Sequence, residues 1–135
     1  MDRLTKKKRS WNMSRIRAEN TRPEVLIRSA LHRMGYRFRL HVRTLPGSPD
    51  IVLPKLKTVI FVHGCFWHRH PKCKYAYNPK SRIDFWQTKF RRNVERDQAV
   101  IKKLRALGWK VKIVWECQVP ELIRCPEKLD RVVRR

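Results

Sequence analysis

The chain has 135 residues, which is the size of one domain with a modest core. It has no apolar run long enough to span a bilayer. Its 34 Lys and Arg against 11 Asp and Glu leave a net charge of +23, so the expected partner is a polyanion. The aromatics lie in segments of mixed polarity and not on a basic amphipathic helix, which sets a membrane surface aside in favour of nucleic acid.

The start, "MDRLTKKKRSWNM", lacks the apolar middle of a secretion signal, and its basic stretch Lys6 to Arg9 reads as an arm or the approach to a short helix. A cytoplasmic, reducing compartment is expected. There Cys65, Cys73, Cys117 and Cys125 are metal ligands or ordinary thiols before they are disulfides. "TRPEVLIRSALHRMG" predicts a helix, with Thr21 as N-cap, Pro23 in the first turn, Glu24 three residues past the cap and Gly35 as the stop. Leu26, Ile27, Ala30, Leu31 and Met34 form its apolar stripe. "YRFRLHV" alternates Tyr36, Phe38, Leu40 and Val42 with basic residues, the pattern of a half-buried strand with a cationic outer face. "DIVL" and "TVIFV" are short strands, and "PKLK" between them reads as a tight hairpin.

A long helix is predicted from about Ile83 to Leu107, capped by Ser81 and ended by Gly108, with Phe90, Val94, Ile101 and Leu104 at helical spacing. "WKVKIVWEC" alternates as a strand, Cys125 falls in a loop bounded by prolines, and "PEKLDRVV" closes the chain as a short helix. The order helix, three strands, helix, strand describes an α/β fold, a mixed sheet flanked by helices.

Two groups of residues carry chemistry. Asp50 stands at the start of a strand, where a hard carboxylate suits Mg²⁺, although Pro-Asp is also ordinary turn chemistry. The arrangement resembles that of restriction-type nucleases, but the acidic-x-Lys pair of their next strand is missing, and this chain has His63 and His68 there instead. Cys65, His70 and Cys73 give C-x4-H-x2-C, and Cys117 at the end of a later strand completes a tetrahedral Zn²⁺ set of three thiolates and an imidazole. The same residues also read as a core cysteine, Cys117, with surface histidines.

"PGSPDIV", "VIFVHGCFWH", "FWQTKFRRNVERD" and "LGWKVKIVWEC" together resemble the very short patch repair (Vsr) endonucleases over about Ser10 to Cys117. The resemblance implies a single Vsr-like domain over 1–135 with a restriction-endonuclease-like core and a basic DNA-contacting segment at 1–20. It implies a Mg²⁺-dependent enzyme of the bacterial cytoplasm that nicks the T strand of T:G mismatches left by deaminated 5-methylcytosine. The partner is double-stranded DNA, with mismatch-repair accessory proteins as candidate helpers and a monomer as the working state.

By position, Asp50 matches the magnesium-binding aspartate and the Val62 carbonyl a second oxygen ligand. Glu24 matches a carboxylate on the metal-bound waters, His68 the proton-transfer residue and His63 a phosphate contact. Cys65, His70, Cys73 and Cys117 match the zinc ligands. Phe66, Trp67 and Trp86 match aromatics that enter the base stack beside the mismatch, with Met13 near them, while Lys89, Arg91, Arg92, Asn93 and Arg96 on the helix that follows are read as further DNA contacts, the cations holding phosphates. From the residues alone, Glu24 is equally a capping-box residue, His63 a structural histidine and the helix cations a solvated face. At least one of the adjacent rings Phe66 and Trp67 is expected to be exposed. The other readings left open are a site-specific or homing-type nicking enzyme for matched DNA and a non-catalytic zinc-stabilised DNA-binding module.

Overall fold

The computed structural model describes residues 20–135; the basic start and Met13 lie outside that range. Helix α1, Arg22–Arg33, begins with proline in its first turn and ends at Met34, after which Gly35 takes φ +93°. Thr21 stands at the N-cap, but its side chain makes no capping bond. Strand β1 is only Arg39–Leu40, much shorter than the alternation of "YRFRLHV" predicts. His41 follows in the left-handed region at φ +48° and breaks the extended chain, and Leu40 is left exposed.

β2, Ile51–Leu53, and β3, Thr58–His63, form the expected hairpin through one 3-10 turn, with Lys57 at φ +53°. The long helix α2, Ile83–Ala106, crosses over to β4, Lys110–Trp115, which pairs parallel to β3. Arg82, not Ser81, occupies its N-cap position, in a left-handed conformation. A short helix α3, Val119–Arg124, occurs where only a loop was expected. Cys125 joins it to α4, Pro126–Arg134.

The sheet has the order β1-β2-β3-β4, antiparallel except at the β3–β4 edge. The alternation of each strand divides the core in two. Ile51, Leu53, Ile60 and Val114 face α1, α3 and α4 and pack on Ile27, Leu31, Leu122 and Leu129. Val52, Val59 and Phe61 face the other way, against Leu104 and Val100 of α2. Burying this much aliphatic surface, at about 25 cal/mol per Å², is the main stabilising term. Gly47 is needed where the loop before Asp50 meets α2, because a Cβ there would stand 2.5 Å from Val100 Cγ1. Among the described residues no helix is long and apolar enough to cross a membrane.

Candidate active site and metal centre

The site gathers at the C-terminal end of β3, where successive residues point to opposite faces of the sheet. On the α1 side, the Asp50 carboxylate accepts the Val62 N–H at 2.8 Å. Val62 lies two residues beyond the last β2–β3 pair, Ile51 with Ile60. A strand residue directs its N–H and carbonyl to the same neighbour, so the Val62 carbonyl also faces the Asp50 edge. Glu24 is 1% exposed, and its carboxylate accepts the Asn20 N–H at 2.5 Å and meets His41 Nε2 at 2.5 Å. The capping-box reading of Glu24 thus holds in part, with the bonded amide one residue before the expected cap.

The donor atoms of Glu24, His41 and Asp50 lie within 4.8 Å of one another. Burial, joined by the nearby Glu24 carboxyl, raises Asp50 to a pKa of about 7, against the opposing pull of the Val62 N–H and His41. Two desolvated carboxyls held together favour a hard divalent cation, since it alone can neutralise both without taking up a proton.

On the α2 side, His63 is buried and its ring stacks on His68 with centroids 3.8 Å apart and planes 7° from parallel. Burial, reinforced by the neighbouring His68, lowers His63 to about 4 despite Asp97, so it is neutral near pH 7. His68 Nδ1 lies 2.7 Å from Asp97 Oδ2. His63, His68 and Asp97 are close enough to be taken for a metal set. However, a ring nitrogen binds a metal in the plane of its own ring, and two parallel rings cannot share one ion in that way. The trio is better suited to moving a proton. With Asp97 on Nδ1, the free Nε2 is the atom that can accept one.

The loop after β3 carries the cysteine and histidine set. Cys65 is fully buried, whereas Cys117 is exposed, so the core-cysteine reading of Cys117 does not hold. Cys73 Sγ and Cys117 Sγ are 4.0 Å apart, and His70 Nδ1 is 3.4 Å from Cys117 Sγ. A tetrahedral ion with metal–sulfur arms of about 2.3 Å needs sulfur–sulfur edges of about 3.8 Å, so the four side chains fit one metal ion with little movement. Burial pushes the Cys65 thiol up to about 12, so a metal that binds there must displace its proton. Cys125 is outside the cluster.

Between these ligands the loop projects Phe66 and Trp67 into an aromatic group with Trp86 and Phe90 of α2. Phe66 lies 5.1 Å from Trp67 and 5.6 Å from Trp86, and Trp67 lies 5.8 Å from Trp86. Neither Phe66 nor Trp67 is fully exposed, contrary to expectation; both are half-buried, while Tyr77 and Phe85 at the edge of the group are exposed. Asn93 Nδ2 donates to the Trp67 carbonyl at 3.1 Å. Arg69 donates to the carbonyls of Phe66, Ala76 and Tyr77 and to Asn78 Oδ1, with its guanidinium 3.9 Å above Phe90. Lys89, Arg91, Arg92 and Arg96 are exposed along α2.

A cleft of about 840 Å³ connects the two faces, lined by Asp50, Val62, His63, Trp67, His68 and Asp97 among others. The fold thus brings together Glu24, Asp50, Val62, His63 and His68, as expected, and adds His41 and Asp97. Asp97 had a signal in the sequence, as an acid on a cationic helix in a chain with 11 acids. His41 had none, since it read as one more cation on the outer face of a strand.

The family model for the DNA mismatch endonuclease Vsr matches residues 1–74. The chain is 50% identical to the type II nicking enzyme V.XorIIP of Xanthomonas oryzae pv. oryzae, covering 98% of this chain and 96% of that protein. It is 45% identical to the type II nicking enzyme V.NmeAIP of Neisseria meningitidis, over 98% of this chain and 94% of the relative. It is also 46% identical to the DNA mismatch endonuclease Vsr of Escherichia coli K12, over 81% of this chain and 69% of that protein.

Proposed function

The chain belongs to the Vsr family of DNA mismatch endonucleases, and from that premise we propose that this DNA endonuclease nicks the T-containing strand of T:G mismatches. The observation that carries the reading is the meeting, across one cleft, of the Asp50 carboxylate, backed by buried Glu24, and a histidine–aspartate pair. Hydrolysis of a phosphodiester needs a polarised phosphate, an activated water and a stabilised leaving oxygen.

In this reading Asp50 and the Val62 carbonyl would hold Mg²⁺, with the Glu24 carboxylate beside them facing its bound waters. The bound cation supplies the positive charge that polarises the phosphate and stabilises the leaving oxygen. His68, oriented by Asp97, takes the proton of the attacking water at Nε2. His63 stays neutral beneath it and offers an N–H to a phosphate oxygen. Cys65, His70, Cys73 and Cys117 hold a structural Zn²⁺, which fixes the direction of the segment between them. Phe66, Trp67 and Trp86 wedge into the base stack beside the mismatch, where poor pairing lowers the cost of unstacking. Lys89, Arg91, Arg92 and Arg96 grip phosphates, and Asn93 steadies the Trp67 backbone. The whole chain acts as one restriction-endonuclease-like domain and as a monomer, with the first twenty or so residues, Met13 among them, as a further DNA contact.

A second reading is favoured by the two nicking enzymes that align with nearly the whole chain: nicking at a fixed sequence in matched DNA. Cleavage of duplexes identical except for T:G or T:A at one position separates the two. Nicking of the T strand alone in the T:G duplex supports mismatch repair, and equal nicking of both duplexes overturns it.

A further inference from the structure

The Glu24 carboxylate is held from two sides. Asn20 N–H donates to Oε2, and His41 Nε2 lies 2.5 Å from Oε1. His41 is itself fixed, because its backbone N–H donates to the Asp50 carbonyl at 3.2 Å. One residue therefore grips the backbone beside one carboxylate and the side chain of the other. It does so in a left-handed conformation, at φ +48°, that a residue with a Cβ adopts only at a cost.

Building on the metal site proposed above, we propose that His41 is a positioning residue that sets the spacing between Glu24 and Asp50 and so the affinity of the cleft for a divalent cation, without being a ligand. In this proposal Nε2 carries the proton and donates it to Glu24, 2.5 Å away, and a ring nitrogen that carries a proton has no lone pair for a metal. The residue also has a competitor to hold off. Arg28 Nη1 stands 3.9 Å from Glu24 Oε2, one turn along α1. Without His41 on the opposite oxygen, the buried carboxylate loses one strong donor and turns toward the guanidinium, away from Asp50. Groups that orient metal-facing ligands in this way typically control affinity by about 10- to 100-fold.

The test is Mn²⁺ binding to the full chain without DNA, read by electron paramagnetic resonance, with Mg²⁺ as competitor and with zinc content and melting temperature recorded for each protein. Asp50→Ala should abolish cleft binding. His41→Ala should weaken Mn²⁺ and Mg²⁺ alike by about tenfold or more while zinc content stays at the wild-type value. His41→Gln, whose amide N–H can reach Glu24, should stay within about threefold of wild type. Should His41→Ala unfold, His41→Phe keeps the bulk of the ring without the donor and must show the same loss. Wild-type binding by these donor-free variants overturns the proposal. A loss for Mn²⁺ much larger than for Mg²⁺ also overturns it, by making the imidazole a ligand. If wild type and Asp50→Ala bind alike, the metal site itself is misplaced and this inference falls with it.

Discussion

The two metal-ready clusters of this protein are built in opposite ways. The thiolate set takes three of its four donors from one loop, Cys65, His70 and Cys73, and closes on Cys117 at the end of β4. The carboxylate set takes its two carboxylates from α1 and from the residue before β2, with His41 of the turn after β1 set against them. Soft donors organise a loop that contains no helix or strand, whereas hard donors are organised by elements that the core already fixes. On the proposed assignment a metal shapes the first cluster, and the fold shapes the second. Trp115 ties the thiolate set to the histidine pair on the α2 side: it stacks on His70 at 4.3 Å and meets the edge of His63 at 5.4 Å.

That contrast is sharpest in a pair of substitutions. Asp50→Ala should lower cleavage by about a thousandfold or more, the several kcal/mol a bound cation contributes to the transition state. Zinc content, melting temperature and DNA affinity should stay close to wild type. Unchanged cleavage, or cleavage that persists in chelator, would remove the carboxylate set from the chemistry. Cys73→Ser and Cys117→Ser should do the reverse and act on structure. Each should release the metal and lower the melting temperature by on the order of 10 °C, at about 3 °C for each kcal/mol lost. Cys125→Ser should do neither. Metal analysis and calorimetry of the three variants check this, and metal loss from the Cys125 variant alone would show that the ligand set is wrong.

The different legibility of the two clusters in the sequence has the same cause. C-x4-H-x2-C is a local spacing, so it could be read directly. The Pro-Asp at position 50 was legible as a strand start with a carboxylate suited to Mg²⁺ and equally as a turn, and His41 not at all, because its role depends on a backbone reversal that brings it over Glu24. The long helix and the β2–β3 hairpin were clear, since apolar periodicity and a Pro-Lys turn act over a few residues. β1 came out too long because alternation alone does not report a left-handed residue. α3 was missed because two prolines and a cysteine disguise a helix of six residues. Burial of Phe66 and Trp67 was also misjudged, since their packing partners arrive from α2, about twenty residues further on.

Two smaller effects refine the comparison. Trp67→Ala should keep its zinc and its fold but lose about 10- to 100-fold of the preference for T:G over T:A, the equivalent of unstacking one base step. A 2-aminopurine beside the mismatch should brighten with wild type and not with the variant; equal brightening would make Trp67 a packing residue. The smallest effect concerns protons. Asp50 has its pKa raised to about 7 and must ionise to bind a cation, so affinity at the carboxylate set should rise about tenfold per pH unit below 7 and level off above it. A titration of Mn²⁺ binding from pH 5.5 to 8.5 measures this. A flat profile would mean that Asp50 is already ionised in the free protein.

The distance along the chain from Cys73 to Cys117 also has a consequence for how the molecule comes into being. The thiolate set spans 44 residues at its widest interval, and the whole of α2 and of β4, the strand that pairs parallel to β3, lie within it. Contacts of this range form late, because the entropy of closing the loop is lost before any packing offsets it. During synthesis the loop bearing Phe66, Trp67 and His68 emerges early, but it lacks its last ligand until β4 has been made and paired. On the proposed assignments the ability to cut DNA is thus held back until the chain is nearly complete, and a truncated product that ends before Cys117 should carry Asp50, His63 and His68 and fail to cut.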